Sequence, residues 1–262
     1  MTATVLENMS NAEYHDHSAI SKSGLDLIDK SPAHYFYREK KSTPAMIFGS
    51  AFHDLVLLPD KFTQLYCVMP EELNLRTKEG KAFKEKVESE NLTALSYTDY
   101  QHIEKMKESL LNHPMADKLL AQGRPEISIF WRDSIGVECR CRPDFLNNSG
   151  IIVDLKTTTD ASPTGFAKSI ANFRYHVQDA YYSNGYFHAF GELPKGFVFI
   201  AIEKEPPYAV GVYTLDDMAK IEGENRFKAN LETYKNALET NQWHAFSPQI
   251  ETLSLPHWAY QS

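Results

Sequence analysis

The strongest chemical signal in the chain is a carboxylate and an ammonium two residues apart. Ile151-Ile152-Val153-Asp154-Leu155-Lys156 reads as an interior strand because of its apolar run. A side-chain period of two puts Asp154 and Lys156 on one face and Leu155 on the other. Opposite charges projecting from a buried strand are costly unless they pair or bind an ion. Alone, an Asp-x-Lys is most simply a strand-end salt bridge. Asp144, in Arg142-Pro143-Asp144, changes that reading. It lies ten residues before Asp154, across the turn signal Asn147-Asn148-Ser149-Gly150. A hairpin of that length brings both carboxylates toward one point. Two converging hard oxygen donors suit Mg²⁺. Lys156 beside them can orient or deprotonate an attacking water and offset phosphate charge. This is the arrangement that metal-assisted phosphodiester hydrolysis requires.

Further residues join this set or have a plainer role. His53 lies on an otherwise apolar segment, where a hydrogen-bonded core histidine is the ordinary case; next to a carboxylate site it becomes a metal ligand. Glu126, on the strand expected before the hairpin, either supplies another carboxylate or is a solvated edge residue. Gln178 and Tyr182 are four apart on an expected helix and so share a face. Such a polar pair is common on helix surfaces, yet it can also bond a phosphate or a backbone. The three cysteines, Cys67, Cys139 and Cys141, are too few for a disulfide framework or a four-thiolate metal site. Cys139 and Cys141 share one strand face and are expected to pack in the core.

The elements that must position these residues can be read from caps, periodicity and turns. Ser21 to Lys30, Pro32 to Lys41 and Ala45 to Leu58 read as helices, the last apolar nearly all round and therefore buried. Phe62 to Val68 reads as a strand, Leu73 to Gly80 as a basic loop, and 81–90 as a helix. Thr98-Asp99-Tyr100-Gln101 reads as a capping box opening a helix that Pro114 breaks or restarts before about Ala121. Glu126 to Arg132, Val137 to Phe145 and Ile151 to Lys156 form an expected antiparallel meander. Helices follow at Pro163 to Phe173 and Tyr175 to Phe190, with strands at Gly196 to Glu203 and Tyr208 to Tyr213. Thr214 is the expected cap of a long final helix ending near Thr240, before an irregular tail from Phe246. Together these predict one α/β domain over 1–262: a helical portion at about 20–121, a mixed-sheet core at about 125–213, and a helix and tail at 214–262.

The composition is that of an ordinary globular chain: 262 residues, 42% hydrophobic and 24% charged. The segment Met1 to Tyr14 has no signal-peptide pattern, and no apolar run approaches a membrane span, which predicts a cytoplasmic protein without a membrane partner. A net charge of −8 argues against coating nucleic acid through bulk charge. Basic residues nevertheless cluster beside the motifs, at Arg76-Lys78-Lys81 and Arg140-Arg142, so any contact with phosphate would be local.

The order His53, Glu126, Arg142-Pro143-Asp144, Asp154-Leu155-Lys156-Thr157-Thr158 and Gln178-x-x-x-Tyr182 resembles the PD-(D/E)XK nuclease superfamily in its RecB-like branch. More closely it resembles the RecE-type exonucleases, from about Glu7 to Trp258. Ile20-Ser21-Lys22-Ser23, Gly49-Ser50-Ala51-Phe52-His53, Arg76-Thr77 with Gly80-Lys81, Cys139-Arg140-Cys141, Tyr175 to Ala180 and Leu253-Ser254-Leu255-Pro256 extend the likeness.

The resemblance implies a restriction-endonuclease-like core: a central mixed β-sheet flanked by helices. It implies Mg²⁺, with Mn²⁺ substituting, held by Asp144, Asp154, the Leu155 carbonyl and His53. Lys156 would be the catalytic lysine, Glu126 an auxiliary acid, and Gln178 and Tyr182 supports for DNA and site. The implied activity is 5′→3′ degradation of one strand of linear duplex DNA, leaving 3′ single-stranded tails. A homo-oligomeric ring, tetrameric by the resemblance, and a RecT-type annealing partner are implied as well. Lys22, Ser23, Arg76, Lys81, Arg140 and Arg142 are the expected phosphate contacts, Arg76 and Arg142 foremost because each lies beside a motif. The rival expectations are another RecB-like nuclease, acting internally or on single strands, and a cleavage-dead DNA-binding module on the same fold.

Overall fold

The computed structural model describes residues 3–39 and 42–260. The end of the second expected helix, Lys40 and Lys41, and the last two residues of the tail lie outside the described residues, as do Met1 and Thr2. The first part of the chain contains β1 (Thr4–Leu6), α1 (Asn11–Asp16), α2 (Lys22–Lys30), α3 (Pro32–Phe36), α4 (Pro44–Leu57) and α5 (Pro59–Leu65). It continues through β2 (Tyr66–Val68), α6 (Lys78–Ser89), β3 (Thr93–Leu95), α7 (Tyr97–Asn112) and α8 (Pro114–Leu120). Five strands follow: β4 (Gly123–Pro125), β5 (Ser128–Arg132), β6 (Glu138–Cys141), β7 (Phe145–Asn147) and β8 (Ile151–Thr158). Then come α9 (Pro163–Asn172), α10 (Tyr175–Phe190), β9 (Gly196–Glu203), β10 (Val210–Tyr213) and α11 (Asp217–Thr240).

Local chemistry starts most of these helices. Ser10 and Glu13 form a reciprocal capping box on α1, the Glu13 N–H donating to Ser10 Oγ at 3.2 Å and the Ser10 N–H to Glu13 Oε2 at 2.9 Å. Thr43 and Ser162 cap α4 and α9, each followed by a proline at the first helical position. Two expected caps are displaced. Ser96, not Thr98, accepts the Asp99 N–H and opens α7. Asp216, not Thr214, accepts the Ala219 N–H at 2.8 Å and opens α11. Most of the expected strand Phe62–Val68 is helix, because Pro59 starts α5 and only Tyr66–Val68 is extended.

The fold is α/β with a central mixed sheet flanked by helices and a helical N-terminal region. The central sheet has strand order β10-β9-β8-β7-β4, with β8 and β9 parallel and the other neighbours antiparallel. A second sheet has the order β1-β5-β6. The parallel pair requires a crossover, supplied by α9 and α10. Along β8 and β9 the side chains alternate between two cores. Val153, Leu155, Val198, Ile200 and Ile202 pack with α4 and α7 residues such as Phe52, Ile103 and Met106. Ile152, Phe197, Phe199 and Ala201 pack with α10 and α11 residues such as Tyr181, Phe227 and Leu231. Cys139 and Cys141 are fully buried in this second core, as expected. The two helices on that face are close: a Cβ on Gly223 of α11 would lie 2.1 Å from the His176 carbonyl oxygen of α10. Among the described residues, no helix is long and apolar enough to cross a membrane.

The expected three-strand meander is in fact divided between the two sheets. Pro143 has no N–H for the ladder, and the chain leaves β6 in one sheet to enter β7 in the other at Arg142-Pro143-Asp144. Its neighbour switches sheets in the opposite sense between β4 and β5. Glu126, at this second switch, is outside any strand and takes a left-handed φ of 53°. The two crossings are bonded to each other by the Glu126 N–H donating to the Asp144 carbonyl at 3.0 Å.

Candidate metal centre

The site is built on that double crossing. β7 pairs antiparallel with β8, Phe145 opposite Val153, so Asp144 stands beside the Asp154–Lys156 stretch. Asp144 Oδ2 accepts the Leu155 N–H at 2.8 Å and lies 3.5 Å from His53 Nδ1 on α4. Glu126 completes a cluster: one ligand atom each from His53, Glu126 and Asp144 lie within 4.8 Å of one another. An imidazole and two carboxylates make a donor set suited to a small divalent cation. His53 keeps 24% of its side chain exposed and Asp144 14%, so the cluster is reachable.

The electrostatics are those of a place built for positive charge. Burial opposes the charged imidazole, but the Asp144 carboxylate outweighs it and His53 is raised to about 9. Burial likewise pushes Asp144 up, yet His53, Lys156 and the Leu155 N–H hold it below the usual carboxylate range. Glu126 is pushed up to about 7 by burial and by the like charge of Asp144, against the pull of His53 and Arg142. At neutral pH a proton on His53 thus supplies part of the positive charge that a cation would bring.

Asp154 is beside this cluster but outside it. Its carboxylate is 1% exposed; one oxygen is 2.5 Å from Lys156 Nζ and the other accepts from Gln178 Nε2 of α10. Burial raises Asp154 to about 6 in spite of Lys156. Lys156, opposed by burial but drawn by Asp154 and Asp144, is held above its ordinary value and stays charged. Tyr182, one turn on from Gln178, packs its ring on Phe197 with its hydroxyl in the electrostatic field of Asp154 and Asp144.

The sequence matches, over residues 21–256, the family described as a PDDEXK-like domain of unknown function (DUF3799). The chain belongs to this family. Pro143-Asp144 and Asp154-Leu155-Lys156 spell out the pattern in the PDDEXK-like name. A crystal structure of a candidate exonuclease from Eubacterium rectale is similar in fold, with a TM-score of 0.66 at 11% identity, covering 97% of this chain and 98% of that one. No curated protein matches the sequence.

Within this PDDEXK-like domain the expected phosphate contacts divide into two groups. Ser23, Arg76 and Lys81 are exposed to solvent. Lys22, Arg140 and Arg142 are instead buried, and most of their donors are engaged by the protein itself. Lys22 Nζ donates to the Phe173 carbonyl at 2.7 Å and pairs with Asp26 at 2.8 Å. The Arg140 guanidinium donates to the carbonyls of Tyr14, His15 and His17. Arg142 donates to Ser128 Oγ at 2.9 Å, Asn11 Oδ1 at 3.1 Å and the Met9 carbonyl at 3.1 Å, and lies 3.7 Å from Glu126. Arg142 therefore ties the segment at Met9–Asn11 to the crossing and lies against the Glu126 carboxylate.

One participant was missed by the reading of side-chain types. The Tyr175 ring lies 4.6 Å from Lys156 Nζ, a cation–π contact that adds to the ammonium's pairing with Asp154. Its only signal in the sequence is its place at the head of the Tyr175–Ala180 stretch.

Proposed function

We propose that the chain is a divalent-metal-dependent exodeoxyribonuclease of the RecE type, acting 5′→3′ on one strand of linear duplex DNA and leaving 3′ single-stranded tails. The observation that carries this reading is the place of Lys156. It is a half-buried, charged lysine on the Asp-x-Lys strand, immediately beside a His53–Glu126–Asp144 cluster able to hold a cation. The E. rectale fold relative, described as a candidate exonuclease, supports the same reading.

The donor set fits Mg²⁺ and, through its imidazole, Mn²⁺. His53, Glu126 and Asp144 would hold the ion, with Asp154 and the Leu155 carbonyl completing the proposed set. Bound there, a divalent ion acts as a Lewis acid toward phosphate oxygen and lowers the pKa of water. The remaining work belongs to the side chains. A phosphodiester at the cluster competes with Asp154 for the Lys156 ammonium, which then offsets charge developing on the phosphoryl oxygens. Gln178 keeps the Asp154 carboxylate oriented while Lys156 is shared. Ser23, Arg76 and Lys81 are the proposed contacts to the DNA backbone. The ring assembly, the RecT-type partner and a cytoplasmic setting belong to the same proposal and rest on the sequence resemblance.

The test is digestion of linear duplex labelled at the 5′ or the 3′ end, beside closed circular duplex, in Mg²⁺, Mn²⁺ and Ca²⁺. The expected result is release of 5′ label with Mg²⁺ or Mn²⁺ and an intact circle. The Lys156→Ala protein should fold and bind duplex but not cut. Cleavage of the circle would favour an endonuclease, and inactivity with every metal a DNA-binding module.

A further inference from the structure

α9 ends and α10 begins at Phe173-Arg174-Tyr175, and this junction is unusually fixed. Arg174 takes a left-handed φ of 55°, a conformation a non-glycine residue holds only when its surroundings impose it. The surroundings are on hand. The Arg174 guanidinium meets Asp26 at 3.2 Å, Asp29 at 3.0 Å and Asn230 at 2.7 Å. The preceding carbonyl, that of Phe173, is bonded by the buried Lys22 ammonium. On this anchored backbone the Phe173 ring is 59% exposed. Its inner face stacks on Tyr175, with centroids 5.6 Å apart and planes inclined by 27°. Tyr175 in turn lies against Lys156.

Exposed aromatic rings are common on this surface, but Phe173 is one whose open ring sits on a rigid junction one ring removed from the proposed catalytic lysine. The separations from Phe173 to Tyr175 and from Tyr175 to Lys156 limit the distance between the Phe173 ring and the ammonium to about 10 Å. At about 3.4 Å of rise per nucleotide, that is within three nucleotides of a phosphodiester at Lys156. Every base has a π face, so an aromatic ring at that distance receives a base whatever its sequence. Because the junction is already ordered, stacking there costs little further conformational entropy.

We infer that Phe173 is a stacking platform for a nucleobase of the substrate, one to three nucleotides from the phosphodiester that is cut. The inference rests on the nuclease reading, extends it to base contact, and assigns that contact no sequence preference.

The experiment places 2-aminopurine singly at the first, second or third nucleotide from the 5′ end of a duplex. Binding is followed in Ca²⁺ by anisotropy of a distant dye, and stacking by 2-aminopurine quenching. Wild-type protein should quench at one of the three positions. Phe173→Ala should bind the duplex end about ten-fold more weakly and lose that quenching, while Phe173→Trp restores both. The substitution is on the surface and leaves the Lys22–carbonyl bond in place, so the variant should melt with the wild type. If the wild type binds duplex without quenching at any position, or Phe173→Ala quenches equally, the platform is refuted and the nuclease reading stands. If the wild type does not bind duplex at all, both fall.

Discussion

Replacing Arg142 by Met separates two accounts of this arginine by their size and sign. Met nearly conserves the stem, so the change removes chiefly the guanidinium. Ser128 Oγ, on a residue with no exposure, loses its charged partner at 2.9 Å and has no water to replace it. Leaving such a group unpaired costs about 1–3 kcal/mol. The cation above the Tyr14 ring at 4.1 Å adds about 0.5–1 kcal/mol. The Met9 and Ser10 carbonyls and the Asn11 amide lie nearer the surface and can turn to solvent. The expected loss is therefore about 3 kcal/mol, or a fall in Tm of about 6–12 °C for a chain of this size. Hydrogen exchange should quicken in Thr4–Asp16, the segment the guanidinium holds. Glu126, without its nearest cation, should titrate higher still and bind metal less tightly at neutral pH. The slope of log duplex affinity against log salt should not change, whereas loss of a phosphate contact would lower it by about 0.9. A variant melting within ~2 °C of the wild type, with a shallower salt slope, would refute the internal role and restore Arg142 to the DNA interface.

Three other expectations follow from the site and the packing. Metal binding must displace the proton that His53 holds up to about 9 and part of one on Glu126, pushed up to about 7 by burial and Asp144. Calorimetry at pH 7 in buffers of differing ionisation heat should show release of at least one proton, with affinity rising from pH 6 to 9; proton-neutral binding would contradict the assignment. In EDTA the sign reverses. A histidine raised above its ordinary 6.5 stabilises the fold fully below that pH and loses the contribution as pH rises through about 9, so the Tm gap between wild type and His53→Gln should close over that range. Gly223→Ala should cost about 1–3 kcal/mol in urea unfolding, since the added carbon meets backbone of α10, while Gly196→Ala, with nothing near its Cβ, should be close to neutral.

The carboxylate pair was legible because a hairpin obeys local rules. A two-residue side-chain period and a turn of known length bring Asp144 to Asp154–Lys156 without any tertiary knowledge. The cysteines and the Gln178 face were legible for the same reason, whereas α4, expected to be buried, buries Ala51, Phe52, Leu55 and Leu57 and leaves its first turn in solvent, with Met46 57% exposed. What failed was anything decided by a partner distant in sequence. Arg140 and Arg142 look like surface cations until β1 and α1 fold over the smaller sheet and offer them carbonyls. Glu126 reads as a strand residue until its left-handed turn moves the chain between sheets, and that turn depends on a bond to Asp144, far along the chain. Tyr175 is an ordinary aromatic until α10 sets it beside Lys156. Alternation also cannot reveal that Pro143 divides one apparent strand between two sheets.

The clasp between Arg140, Arg142 and the segment at Met9–His17 also bears on synthesis. Arg140 meets the Tyr14 carbonyl across a separation of 126 residues. At about 5–20 residues per second, the early segment waits roughly 6–25 s on the ribosome before its arginine exists. During that time β1 has no β5 to pair with and its hydrogen-bonding edge stays open. The same arginine stretch lies against Glu126. The His53–Glu126–Asp144 cluster therefore cannot come together until Asp144 has been made, and Lys156 joins it only when β8 follows.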